Sequence, residues 1–141
     1  MKKVFLDTNV LIDYLEGREG AKFAQDIIRL SFAGVISICA SVLTFANMAY
    51  VLHSAHKHTK EEIYDALDMM ESLVKVLPMD KEQLRAAIDA KTRDFEDMLQ
   101  YQCAQANNCD VIVTRNIKDF KNFCSLPLFT SEEFLATFHI Q

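Results

Sequence analysis

Glycine, proline and tryptophan are scarce in this chain: its 141 residues hold three Gly, two Pro and no Trp. That scarcity excludes a collagen-like repeat and a Gly- or Pro-rich disordered tail. The three glycines, Gly17, Gly20 and Gly34, stand apart, so no glycine-rich loop is present to cradle a phosphate. The four cysteines, Cys39, Cys103, Cys109 and Cys124, lack the close pairs of a zinc site, and reduced thiols in a cytosol are the default. Positive charge is in deficit as well. Fifteen Lys plus Arg against twenty Asp plus Glu give a net charge of −5, so no global field draws in a polyanion, and any such ligand is bound locally.

Charge of either sign is missing from Leu30 to Leu52, a run of twenty-three residues long enough to span a bilayer. Ser31, Gly34, Ser37, Ser41, Thr44 and Asn47 interrupt it. It reads as a helix end, a buried strand and the start of a second helix, with a break at Gly34 and a new cap at Ser41. No membrane segment is expected. Met1-Lys2-Lys3 precedes too short an apolar run for a signal peptide, which makes the cytoplasm the expected location.

What remains is 50% apolar and 25% charged, with no repeat or linker, the composition of one globular domain over 1–141. Short β-rich runs at residues 3–6, 35–39, 75–77 and 110–113, with a possible edge strand at Leu128-Phe129, alternate with helical periodicity. The helical stretches begin after Asp7 and near Gly20, Ser41, Thr59, Asp80, Asp94 and Asn116, and a last one is capped by Ser131. Strands separated by helices require crossovers, so the fold class is α/β with a central parallel sheet of four to five short strands. In such a sheet the ligand crevice lies beyond the carboxyl ends of the strands.

Two acids occupy that position: Asp7 follows the first strand, and Asp119 lies a few residues past the fourth. Asp94 and Asp97, three apart, share one face of a helix start. Carboxylates brought together repel one another, and a hard divalent cation such as magnesium or manganese is the usual compensation. Helix capping stands beside this reading, because Asp94 and Asp97 also sit where an N-cap and a first-turn acid belong. His53, His56 and His58, close to Lys57 and Lys60, read as cations at a helix end. The helices near the N-terminus and from Ser41 onward carry apolar residues beyond what a small sheet buries, including Phe23, Phe32, Phe45, Met48 and Tyr50. Such a surplus suits a second copy of the chain or a partner helix.

Three ordered pieces carry a resemblance: Val4-Phe5-Leu6-Asp7-Thr8-Asn9-Val10-Leu11-Ile12-Asp13, Asp97-Met98-Leu99-Gln100 with Ala104, and Val111-Ile112-Val113-Thr114-Arg115-Asn116 with Asp119-Phe120. Together they resemble PIN domains over nearly the whole chain, above all the small stand-alone toxins of bacterial toxin-antitoxin pairs. The resemblance implies a three-layer α/β/α sandwich and an acidic pocket that binds magnesium or manganese and cleaves single-stranded RNA. It implies metal ligands at Asp7, Asp97 and Asp119, with Asp94 an additional acid one turn earlier. Asn9, Thr114, Arg115 and Asn116 match polar positions bordering the pocket, and Lys118 joins Arg115 as a partner for flanking phosphates. Residues 115–121 carry three basic side chains and one acid, a local charge of +2 in an acidic protein. A cognate antitoxin and a homodimer are the implied protein partners.

The chain departs from the family at the second motif. PIN domains usually place a Glu on the helix after the second strand, and Ser41-Val42-Leu43-Thr44-Phe45-Ala46-Asn47 puts Asn47 there, with no Asp or Glu anywhere in residues 27–60. Asparagine keeps an oxygen acceptor but loses the charge, so the expected site holds Asp7, Asn47, Asp97 and Asp119 with one negative charge fewer. Two alternatives follow: a catalytically weak or silent PIN-like protein that binds RNA or an antitoxin, and a different magnesium-dependent phosphoryl enzyme such as a small phosphatase.

Overall fold

Period-two alternation in the strands sorts the apolar residues onto two faces of a single sheet. Val4, Leu6, Ile36, Ile38, Ala40, Val111 and Val113 enter one core cluster, whereas Phe5, Cys39, Leu77 and Ile112 enter the other. The computed structural model describes residues 1–138. Its strands are β1 (Lys2–Leu6), β2 (Ile36–Ser41), β3 (Lys75–Leu77), β4 (Val111–Val113) and β5 (Leu128–Phe129). All pairings are parallel, in the order β3-β2-β1-β4-β5.

Helices cover both faces. Core residues of α1 (Thr8–Glu16), α2 (Ala21–Phe32), α3 (Val42–Ser54), α4 (Lys60–Leu73) and α8 (Ser131–Ala136) pack on the first face. Those of α5 (Lys81–Ala90), α6 (Phe95–Ala106) and α7 (Ile117–Lys121) pack on the second, which completes the three layers. The chain steps outward from β1 through β2 to β3, then returns to lay β4 on the free side of β1. The direction of winding therefore reverses between β1 and β4, and a crevice opens at their carboxyl ends.

Side-chain caps set most helix starts. Asp7, Ser41, Thr59, Asp80 and Asp94 each accept a hydrogen bond from a first-turn amide. The last helix departs from expectation: Thr130, not Ser131, caps α8, because the capping box is closed by Thr130 and Glu133. Gly17 ends α1 at φ 62, a left-handed conformation open to glycine at little cost. The uncharged stretch divides into α2, β2 and α3, and no helix among the described residues is long and apolar enough to cross a membrane. The apolar surplus is smaller than expected. Met48 is fully buried and Phe23 and Phe45 half-buried against the core, leaving Phe32 at 74% and Tyr50 at 71% exposure.

Candidate active site

Asp7 stands where β1 gives way to α1, directly beside the end of β4. Its amide donates to the Val113 carbonyl at 2.9 Å, which extends the β1–β4 ladder by one rung. Its Oδ1 accepts from the Thr8 amide at 2.8 Å as the cap of α1, and its Oδ2 accepts from the Thr114 hydroxyl at 2.8 Å. Thr114 is fully buried, and its hydroxyl also accepts from the Asn116 amide at 3.0 Å. It holds Asp7 and the turn after β4 in place, and it is not among the residues that line the acidic pocket. Burial raises the Asp7 pKa above the usual carboxylate value, against the opposing pull of the Thr114 and Thr8 hydrogen bonds.

The first turn of α6 brings three more acids. Asp94 caps the helix, with Oδ1 accepting from the Asp97 amide at 3.0 Å. Carboxylate oxygens of Asp94, Glu96 and Asp97 all lie within 4.8 Å of one another. Burial, then repulsion from Asp7, Asp94, Glu96 and Asp119, pushes Asp97 up to about 8. Burial followed by Asp7 and Asp94 pushes Glu96 up to about 7. Asp7, Asp94, Glu96, Asp97 and Asp119 together line one pocket of about 210 Å³, with Thr8, Asn9, Asn47, Tyr50, Val51 and Asn116. Asp7 and Asp119 complete the lining from outside the α6 triad.

Two polar atoms in this region lack partners: Thr8 Oγ1 and Glu96 Oε2 are buried with no hydrogen bond. Unpaired oxygens and crowded carboxylates both cost free energy in a protein interior. A hard divalent cation would relieve the two together, since it takes carboxylate, hydroxyl and water oxygens as ligands. The donor set fits such an ion.

The basic residues sit at the margins. Lys118 lines a larger cleft of about 600 Å³ with Thr92, Arg93, Asn122 and Phe123, and this cleft shares Asp94 and Asp119 with the acidic pocket. Arg115 is 46% exposed, and its guanidinium reaches the buried Asp13 at 3.3 Å, where Arg18 also pairs at 2.8 Å.

This arrangement has known relatives. The PIN domain family profile matches residues 3–118. The chain belongs to the PIN domain family. It is 29% identical to Ribonuclease VapC1 of Aquifex aeolicus (strain VF5), over 94% of this chain and 93% of that protein. Its fold is similar to a chain in the crystal structure of VapBC2 from Rickettsia felis bound to a DNA fragment from their promoter, with TM-score 0.70, 23% identity, and coverage of 91% and 98%. A toxin-antitoxin complex from Klebsiella pneumoniae gives TM-score 0.65 at 21% identity, covering 91% and 97%.

For a PIN domain, the pocket holds one surprise. Asn47 lines it as the motif alignment expected, but the site is not short of charge, because Glu96 lies beside Asn47 and brings a fifth carboxylate. Residues 27–60 contribute no acid to the lining, and Glu96 enters it from α6, on the other face of the sheet. Its signal in the sequence was the acidic triplet at 94, 96 and 97 within one helical turn. A one-face reading of that turn selects 94 and 97 and passes over 96.

Proposed function

We propose that this PIN domain is a magnesium- or manganese-dependent endoribonuclease that hydrolyses phosphodiester bonds of single-stranded RNA, as the toxin of a toxin-antitoxin pair in the cytoplasm. The observation that carries this reading is the meeting of acids from β1, α6 and α7 in one pocket at the reversal of the sheet. The name of the Aquifex relative, a ribonuclease matched over nearly the full length, supports the reaction class, and the likeness to a toxin-antitoxin complex supports the pairing.

Asp7, Asp97 and Asp119 would hold the ion, with Asp94 at the pocket edge. A divalent cation held there would supply Lewis acidity toward a phosphoryl oxygen and a lowered pKa for a bound water. Asn9, Asn47 and Asn116 offer neutral amides at the pocket wall, suited to orienting a water or the ribose-phosphate chain without adding charge. Lys118 and Arg93 give the adjoining cleft two cations for phosphates flanking the cut, with the Phe123 ring at its wall. Arg115, tied to Asp13, steadies the loop that carries Asn116 while keeping part of its guanidinium exposed for the strand. A cognate antitoxin and a second copy of the chain are the partners, and Phe32 and Tyr50 are large exposed side chains available to them.

The test is cleavage of an end-labelled single-stranded RNA with MnCl₂ or MgCl₂. Wild type cuts, chelator stops it, and Asp97→Asn loses at least about 100-fold, the upper end of what losing a supporting group around a metal costs. Cleavage indifferent to chelator overturns the reading. The loss of the second-motif Glu, replaced by Asn47, motivates a second reading as a silent RNA- or antitoxin-binding protein, which RNA binding without cleavage would support. Hydrolysis of a chromogenic phosphate monoester in place of RNA would instead mark a phosphatase.

A further inference from the structure

The side of the pocket formed by α3 and α6 is fixed by a buried polar network. Ser41 Oγ donates to Gln100 Oε1 at 2.6 Å, Gln100 Nε2 donates to Thr44 Oγ1 at 3.1 Å, and the Thr44 amide donates to Ser41 Oγ at 3.0 Å. Ser41, Thr44 and Gln100 are all fully buried. Asn47 is three residues beyond Thr44 on α3, and Glu96 is four before Gln100 on α6. Each thus lies one turn from the network, on the side of its helix that the network faces. Asn47 and Glu96 both line the acidic pocket beside this network.

Glu96 does not behave as an ordinary first-turn acid. Its side chain is half-buried in the pocket lining, where the Gln100 and Asn47 side chains favour its charged form. Its Oε2 is buried with no partner, and a carboxylate oxygen of Glu96 lies within 4.8 Å of oxygens of Asp94 and Asp97. Thr8 Oγ1, on the wall formed by α1, is likewise unpaired in a residue 7% exposed. An acid serving only the helix dipole would keep both oxygens in water. Glu96 instead keeps one oxygen buried and unpaired in the wall of the pocket.

We propose that Glu96 is a metal-facing carboxylate of the site, and that Asn47 is its positioning residue, so that the Glu–Asn pair across α3 and α6 does what a single glutamate at position 47 would do. The charge has moved from one helix to its neighbour. Asn47 is then no defect: a Glu there would crowd Glu96 with a second negative charge, whereas an amide donates to it. This inference rests on the metal-dependent reading above.

A calorimetric titration of the full chain with MnCl₂ separates the two claims. Wild type, Glu96→Gln, the double variant Glu96→Gln/Asn47→Glu and Asp97→Asn are compared, with thermal melting of each metal-free protein. Glu96→Gln is isosteric and removes one charge from a repulsive set, so it should melt no lower than wild type while binding Mn²⁺ on the order of 10- to 100-fold more weakly. The double variant, which returns the charge from α3, should regain affinity to within about threefold of wild type. Wild-type affinity in Glu96→Gln, a loss of folding in it, or a double variant as weak as the single one would each overturn the proposal. If Asp97→Asn alone loses binding, the nuclease reading stands and only the role of Glu96 falls. If wild type binds no Mn²⁺, both fall.

Discussion

Asp7 has both carboxylate oxygens engaged before any ligand arrives, one by the Thr8 amide and one by the Thr114 hydroxyl. That tether aims a buried acid without neutralising it, and Thr114 is fully buried in doing so. In Thr114→Val the methyl groups still fill the space, but Asp7 Oδ2 loses its donor. The expected cost is about 1–3 kcal/mol. Urea denaturation of the two proteins measures it; an unchanged midpoint would show that Thr114 is only packing. The role of Thr114 was not legible in sequence for a plain reason: a hydroxyl next to a motif reads the same whether it faces outward to substrate or backward to a neighbouring strand.

At the scale of elements, the start of α6 serves two purposes with one set of side chains. Asp94 is the cap, by its bond to the Asp97 amide, and also lines the pocket. The sequence offered capping and metal binding as alternatives; the cap is formed, and the same side chain stands in the pocket lining. Asp94→Asn keeps a capping oxygen and removes a charge, so its metal-free melting temperature should equal or exceed that of wild type. Asp94→Ala loses the cap and should cost about 1 kcal/mol. Equal melting of the two variants would mean that the cap contributes nothing. Glu96 escaped notice because facing-side arithmetic assumes a helix seen from one direction, whereas the pocket wraps around the helix end.

A second junction titrates. His58 Nε2 lies 2.9 Å from Glu16 at the end of α1 and its Nδ1 3.3 Å from Glu62 in the first turn of α4, while His56 Nδ1 is 3.0 Å from Glu16. The hydrogen bond to Glu16, then that to Glu62, raises the His58 pKa. A raised histidine stabilises the folded state in full below its unfolded value near 6.5 and loses that contribution as pH rises through the folded value. His58→Gln should therefore melt below wild type at pH 5.5 and approach it at pH 8.5. A gap that widens with pH would contradict the ion pairs.

Over the whole molecule, the strand order explains why residues as distant as Asp7, Asp97 and Asp119 line one pocket. The elements and the polar ends of the strands were legible, because alternation and caps are local signals. The reversal between β1 and β4 was not, since it depends on which edge of the sheet the returning chain joins. The cost of collecting acids there is also global. Asp97 and Glu96, pushed up to about 8 and about 7, hold protons in the folded state that the unfolded chain releases near pH 4. The metal-free protein should thus lose stability as pH rises from about 4 to 8, with a slope of up to about 1.4 kcal/mol per pH unit for each such group. Saturating Mn²⁺ should flatten that slope in a melting series; a metal-free stability that climbs over the same window would contradict the repulsion.

The central claim, that these carboxylates form one divalent-cation site, is tested most directly by a crystal structure of the protein with Mn²⁺, with anomalous scattering recorded at the manganese edge. The account predicts a peak inside the acidic pocket with oxygens of Asp97 and at least one of Asp7, Glu96 and Asp119 at about 2.0–2.6 Å, the range for hard divalent cations. A saturating soak that leaves the pocket without a peak, or places manganese only on surface carboxylates, would contradict it.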